Sequence, residues 1–438
     1  MEIKVDKLNI NGEGISIIDG KKCCVKGVLP DEIINVNILK EKENFCQCQL
    51  EKIIKPSTNR VISPCIYSKS CGGCDLIFAN NTYALELKRQ SIQEYFSEYI
   101  KDDVQIIPSE NNLNYRNKVS FLVENGRIGL QQENTNKLVE IKSCKIANDY
   151  INLVLDIFRK YFSEIRPKST SEKISKEYLF FLSINHLVVR AIDNQVIIVI
   201  VCNRKTIKIA KLLIMLLQFH FRDNFGLYVN VNKVNSKNIL SDEWHHIYGK
   251  EYLKSNVNGI EYYVYPHSFM QINDDAREKL YSYIAENVDH ENVVEGYSGA
   301  GLLSAIMSKK AKSVISVEIN KDGTKSAQRT KEVNNIENLE NINGDFKEIF
   351  PILSKKYDKV TLVVDPPRNG LSKEVLDTIR TSLPDKIIYI SCSPYTLKQN
   401  IGYIAAYYNV NSLRVFDMFP QTSKVECVAI LEKNKNNS

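Results

Sequence analysis

The chain has 438 residues, too long for one ordinary domain and enough for two or three. Hydrophobic residues at 43% and charged residues at 25%, with 23 Tyr and 16 Phe, exclude disorder as the dominant state, while a net charge of +6 permits a nucleic-acid partner without identifying one. The longest apolar run, Val196 to Cys202, is too short to span a membrane, and Met1-Glu2-Ile3-Lys4 does not open a signal peptide, so a cytoplasmic protein is expected.

Residues 1 to 55 alternate β-prone stretches (Ile3 to Ile10, Lys22 to Val28, Ile33 to Leu39, Cys46 to Ile53) with turn residues at Asn11-Gly12, Asp19-Gly20 and Pro30-Asp31. Strands of this length and spacing predict a small barrel. Such barrels bind oligonucleotides in many proteins and do other work in as many.

Next comes Cys65-x5-Cys71-Gly72-Gly73-Cys74. Eleven cysteines, an odd number in a chain without an export signal, argue against disulfides. Three thiols this close suit a soft metal or a cluster, and the two glycines let the backbone wrap it and aim amides at its sulfurs. A fourth thiolate has to come from Cys144, Cys202 or the N-terminal cysteines. Zinc is the alternative, but zinc ribbons use two C-x2-C knuckles and only one is present. Cys23, Cys24, Cys46, Cys48 and Cys202 have no ligand spacing and read as small buried apolar residues.

Further along, helical periodicity covers Tyr83 to Tyr99, and Lys118 to Val123 with Arg127 to Leu130 predicts a hairpin around Asn125-Gly126. Ile151 to Phe162 and Ile207 to Phe221 read as helices, Ser163 to Lys176 as a surface loop, and Phe180 to Ile184, Leu187 to Ile192 and Val196 to Cys202 as strands.

From about Asn256 strands alternate with helices, which predicts a doubly wound, mostly parallel sheet. Val293-Val294-Glu295 runs into Gly296-Tyr297-Ser298-Gly299-Ala300-Gly301, a turn that lets a ligand lie against the backbone. Ser304 stands where a dinucleotide fingerprint has its third glycine, which favours S-adenosylmethionine over a ligand with a pyrophosphate. Glu318 ends the next strand at the distance of a ribose-binding acid, and Asp345 follows the strand after that. Upstream, Gln271 and Asn273 flank Ile272 as candidate ligand contacts.

Asp365-Pro366-Pro367-Arg368 ends the fourth strand and predicts a rigid wall at the ligand-binding edge. Cys392, in Ser391-Cys392-Ser393-Pro394, ends the next strand and is a candidate nucleophile. Glu426 begins the last strand; it is either solvated, with Lys424 as a nearby ion-pair partner, or functional.

Together these segments resemble the bacterial RNA uracil-5 methyltransferases, specifically the ribosomal-RNA type with a TRAM domain and an iron–sulfur cluster, over almost the whole chain. Asn11-Gly12-Glu13-Gly14 and Val28-Leu29-Pro30-Asp31-Glu32 match the TRAM turns, and Cys65, Cys71 and Cys74 match the cluster motif, with Cys144 falling at its fourth ligand. Phe269-Met270-Gln271-Ile272-Asn273, Ser391-Cys392-Ser393-Pro394-Tyr395-Thr396-Leu397 and Phe419 to Val428 match the donor, nucleophile and base motifs. Four positions depart from the usual residue: Glu295 for Asp, Ser298 for Cys, Ser393 for Asn and Lys424 for His.

The resemblance implies a multidomain α/β protein. Residues 1–56 would be an OB-like TRAM barrel that binds RNA, 57–255 a central α+β domain with a 4Fe-4S cluster, and 256–438 a Rossmann-like S-adenosylmethionine-dependent methyltransferase domain. It assigns Cys392 as nucleophile and Glu426 as base. It assigns Gln271, Tyr297, Glu318, Asp345 and Asp365 to the methyl donor, and Cys65, Cys71, Cys74 and Cys144 to the cluster. The expected substrate is a looped or single-stranded uridine of 23S ribosomal RNA, with no membrane and no obligate protein partner. The competing expectations are a transfer-RNA uridine, a dinucleotide-dependent iron–sulfur redox enzyme, and a non-catalytic RNA-binding factor.

Overall fold

A computed structural model of the chain describes residues 1–434 apart from 134, 168–174, 205–208, 210, 233–237, 290–291 and 358. Residues 168–174 of the expected loop, 207, 208 and 210 of the helix expected from Ile207, and 435–438 of the polar tail lie outside the described residues.

The N-terminal sheet has six strands: Glu2–Lys4, Lys7–Leu8, Gly14–Ile18, Lys21–Val25, Ile33–Glu41 and Phe45–Lys55. Glu2–Lys4 pairs with Ile33–Glu41, and Lys7–Leu8, the continuation of the same segment, pairs with Gly14–Ile18. The opening segment thus joins both edges and closes the barrel. Alternation turns Ile3, Val25, Ile34 and Val36 into its core. Gly14–Ile18 was not among the expected strands.

The reading of Cys23 and Cys46 as plain thiols is corrected, since the two form a disulfide. They face each other in the parallel pairing of Lys21–Val25 with Phe45–Lys55, with Cα atoms 4.7 Å apart. Strand register, invisible in chain spacing, brings them together.

A seven-stranded sheet runs in the order Leu138–Glu140, Arg127–Gln131, Lys118–Glu124, Ile184–Ile192, Gln195–Cys202, Phe225–Val231, Trp244–Gly249. Helices Asp149–Ile165 and Lys211–Phe221 pack on one face through Val154, Phe158, Leu213 and Leu217. Gln195–Cys202, the apolar run, is buried along its whole length. Phe180 and Phe181 belong to the short helix Lys176–Phe181, capped by Ser175, and the expected strand starts only at Ile184.

The eight-stranded sheet has the order Leu339–Asn343, Ser313–Glu318, Asn292–Gly296, Val360–Val364, Lys386–Ser391, Glu426–Lys433, Tyr408–Phe416, Gln105–Ile107. The first five strands are parallel, and Glu426–Lys433 runs antiparallel to Lys386–Ser391. The strand order reverses between Asn292–Gly296 and Val360–Val364, which opens a crevice at their C-terminal ends. The eighth strand comes from far upstream, and Ile92, Phe96 and Val104 pack into the same core. Among the described residues no helix is long and apolar enough to cross a membrane.

Candidate active site

Three expected residues lie at the ends of adjacent strands: Asp365 after Val360–Val364, Cys392 after Lys386–Ser391, and Glu426 at the start of Glu426–Lys433. Ser391 pairs with Cys427, so Cys392 and Glu426 meet at one edge of the sheet. Ser393 caps helix Pro394–Ile404 and accepts from the Thr396 amide, which ends the strand sharply at the cysteine. Cys392 lines a cavity of about 880 Å³ together with Gly12, Asp75, Arg368 and Lys424.

Burial pushes the Cys392 thiol up to about 11, and the Glu426 charge adds to the rise. The Arg368 charge opposes it. Glu426 is 1% exposed, and its Oε1 has no partner among the described residues. Burial, then the charge of Asp365, raises its pKa well above the ordinary carboxyl range; Arg368 again opposes. Asp365 is raised by burial too, and Gln271 Nε2 donates to its Oδ2 at 3.2 Å. Each of these two buried carboxyls disfavours ionisation of the other.

In the crevice the turn after Asn292–Gly296 has positive φ at Tyr297, Gly299 and Gly301. Gly301 has to be glycine, because a Cβ there would lie 2.3 Å from that of Ala327. The Glu318 carboxylate accepts from the Gly299 amide at 2.8 Å and from the Asn320 amide at 2.7 Å. It is thereby fixed, with lone pairs left for a diol. The Tyr297 ring lies 5.3 Å from that of Phe346, and burial pushes its hydroxyl up to about 12. Asp345 caps helix Phe346–Leu353, accepting from the Lys347 amide, and its carboxylate pairs with the Lys347 ammonium.

Asn273, a candidate contact by sequence, instead caps helix Asp274–Asn287: its side chain accepts from the Ala276 amide and donates to Ser109. Sequence reasoning missed two features. Arg368 was passed over, though its place directly after the strand-end Asp-Pro-Pro was the available signal. Ser304, noted only as a missing glycine, donates its hydroxyl to Glu295, a wholly buried acid pushed up to about 8 by burial.

Cys65, Cys71, Cys74 and Cys144 are free, half-buried thiols lining one cavity. Burial raises the Cys71 and Cys144 thiols, and the backbone amides at Gly73, and at Ile146 and Ala147, act against that rise. The Cys144 loop is held by Asn152, which accepts from the Cys144 amide and donates to its carbonyl. Gly72 packs against Glu133, whose Cα a Cβ would meet at 2.8 Å. Cys202 lies in the core of the seven-stranded sheet and is not among the residues that line this cavity. Amides aimed at convergent thiols fit an iron–sulfur cluster. Among the described residues, the tightest group of ligand atoms, within 4.8 Å of one another, is instead Cys23, Cys46 and Cys48 in the barrel. Two of those are spent in the disulfide and all three are buried, so this group does not carry the expected ligand spacing.

A sequence family described as tRNA (uracil-5-)-methyltransferase matches residues 80–434. The chain belongs to this family. An uncharacterized RNA methyltransferase of Clostridium tetani is 31% identical, over 97% of this chain and 94% of its own. Another, of Fusobacterium nucleatum, is 28% identical over 99% and 96%. The solved Pyrococcus abyssi tRNA (uracil-54, C5)-methyltransferase, in complex with S-adenosyl-L-homocysteine, superposes with a TM-score of 0.77 at 23% identity. It covers 98% of this chain and 100% of its own, so the two share a fold throughout. As a uracil-5 methyltransferase family member, the chain is an S-adenosylmethionine-dependent RNA methyltransferase with the expected α/β architecture.

Proposed function

We propose that the enzyme methylates carbon 5 of a uridine in 23S ribosomal RNA, with Cys392 as nucleophile and Glu426 as base. The observation that carries this reading is the meeting of Cys392, Arg368, Asp365 and Glu426 at one sheet edge, with a Glu426 oxygen left unpartnered. Carbon 5 of uracil is a weak nucleophile. The Cys392 thiolate forms a bond to carbon 6, and the displaced electron pair moves onto the ring as an enolate. S-adenosylmethionine supplies the methyl group as an electrophile on its sulfonium. Once carbon 5 carries both methyl and hydrogen, the Glu426 carboxylate takes the proton. The double bond re-forms, and the carbon–sulfur pair returns to Cys392. Gln271, Tyr297, Glu318, Asp345 and Asp365 hold the donor. The uridine has to leave its stack to reach this crevice, which favours looped RNA.

Cys65, Cys71, Cys74 and Cys144 would hold a 4Fe-4S cluster whose contribution is to cross-link two loops and neutralise four buried thiolates. Residues 1–56 serve as a TRAM-type RNA-binding barrel, 57–255 as the cluster-bearing part and 256–438 as the catalytic part of a cytoplasmic enzyme.

The barrel and the cysteine set favour ribosomal RNA. A transfer-RNA uridine is the second reading, favoured by the end-to-end fold match to a tRNA enzyme. Mass-spectrometric mapping of 5-methyluridine in both RNAs from a deletion strain decides between them. Loss of the mark from 23S RNA alone is the expected result, and loss from transfer RNA alone overturns it. Iron and acid-labile sulfide in the anaerobically purified protein, lost together in Cys74→Ala, test the cluster.

A further inference from the structure

We propose that Asp75 is a positioning residue for the base: it clamps the loop that carries Glu426 onto the cysteine-rich segment and the barrel. The inference rests on the assignment of Glu426 as the proton acceptor.

Residues 417–425 link strands Tyr408–Phe416 and Glu426–Lys433 without helix or strand structure of their own. A loop of that kind is placed by what its polar groups find. Lys88 Nζ donates to the Phe419 carbonyl at 3.2 Å, the Tyr115 hydroxyl to Pro420 at 3.0 Å, and the Leu76 amide to Gln421 at 3.0 Å. The last tether before the base is Asp75. Its Oδ1 accepts from the Ser423 amide and its Oδ2 from the Ser423 hydroxyl, both at 2.6 Å. Two short bonds to one carboxylate are charge-assisted and fix direction as well as distance. From the other side Gly12 of the barrel closes on the same pair. A Cβ at Gly12 would lie 2.6 Å from Ser423 Cβ and 3.3 Å from Asp75 Oδ2.

Three parts of the chain therefore meet three residues before Glu426 and one residue after Cys74. The clamp also lines the cavity that contains Cys392. Asp75 touches no reacting atom, so its influence runs through where Glu426 sits.

The two halves of the reaction depend on Glu426 differently. Addition of Cys392 and methyl transfer do not use it. Only in the second half does the carbon 5 proton pass to its carboxylate, the C–H pair re-form the ring double bond, and the carbon 6–sulfur pair return to Cys392. A loosened clamp slows that half alone, and the covalent RNA–protein adduct accumulates. A misplacement near 1 Å costs up to about a hundredfold in such a step.

The test incubates full-length holoenzyme, S-adenosylmethionine and RNA from a deletion strain, then quenches in denaturant. First-turnover methyl incorporation, steady-state turnover and adduct are compared for wild type, Asp75→Ala, Asp75→Asn, Ser423→Ala and Glu426→Gln. Asp75→Ala is expected to raise the adduct fraction and lower turnover by about tenfold or more while keeping the first-turnover methyl burst. Asp75→Asn, whose single amide oxygen still accepts from Ser423, falls between it and wild type. Ser423→Ala removes one of the two bonds without touching the cysteine loop, and keeps the comparison should Asp75→Ala not fold. Wild-type adduct levels in Asp75→Ala and Ser423→Ala, beside accumulation in Glu426→Gln, overturn the clamp. So does loss of the first-turnover burst, which would make Asp75 an RNA contact. No adduct in Glu426→Gln removes the base assignment itself, and the clamp with it.

Discussion

Arg368 and Cys392 line one cavity, and the positive charge of Arg368 acts both on the Cys392 thiol and on the carboxyl of Glu426. Burial pushes both groups towards their protonated forms, although the proposed reaction uses each without its proton. Arg368 is the nearby cation that counters burial at both.

A thiol raised to about 11 is mostly protonated at neutral pH, so the rate should climb with pH through 7 to 9 instead of levelling off below 7. Arg368→Ala removes a charge that lowers this pKa. Its pH limb should move to higher pH, and activity at pH 8 should fall by about tenfold for every pH unit that the limb moves. Arg368→Lys, which keeps the charge, should recover part of it. A pH–rate profile identical to wild type in Arg368→Ala would contradict the role.

Cys392→Ala should abolish transfer of labelled methyl from S-adenosylmethionine to RNA, since without a thiolate carbon 5 is never activated. Glu426→Gln should still form the covalent adduct and fail to release it, giving a slow band on a denaturing gel. An active Cys392→Ala enzyme would sink the nucleophile assignment.

Glu295 is raised from 4.5 to about 8 in the folded chain. Folding therefore favours its protonated form. The stability this brings is fully present below the unfolded pKa and is lost as pH rises through about 8. Glu295→Gln imitates the protonated acid and keeps an acceptor for Ser304. Its unfolding free energy at pH 8.5 should exceed that of wild type by an amount on the order of a few kcal/mol, and the two should converge below pH 5. A constant difference across that range would rule the linkage out.

Lys88 and Asp417 form an ion pair at 2.6 Å with both side chains 3% exposed. Lys88→Met would leave a buried carboxylate alone and should cost about 3 kcal/mol or more in thermal unfolding. Adding Asp417→Leu should return most of that loss; a double variant as unstable as the single one would show that the pair's charge is not the cause.

The catalytic sheet was readable because buried parallel strands are short apolar runs punctuated by glycine and acid at their ends. Asn292–Gly296 extends one residue beyond Val293-Val294-Glu295 at each end, Ser313–Glu318 ends on Glu318 as expected, and Lys386–Ser391 stops one residue short of Cys392. Tyr408–Phe416 escaped because its Asn and Ser residues hide the β pattern, and Gln105–Ile107 because three residues carry no periodicity. The site divides in the same way. Cys392 and Glu426 stand out as reactive residues at strand ends, whereas the contact of Arg368 with Cys392 depends on strand order. Asn273 misled because a capping Asn and a ligand-binding Asn look alike in one dimension.

The eighth strand sets the timing of folding. Gln105 hydrogen-bonds Arg414 across 309 residues, so at ordinary synthesis speeds its neighbour leaves the ribosome on the order of half a minute later. Through that interval the core that Ile92, Phe96 and Val104 enter still lacks Leu413, Val415, Cys427 and Leu431. The nascent chain carries an apolar segment that is fully sealed only when the last strands arrive. A fragment ending before Tyr408 should be insoluble.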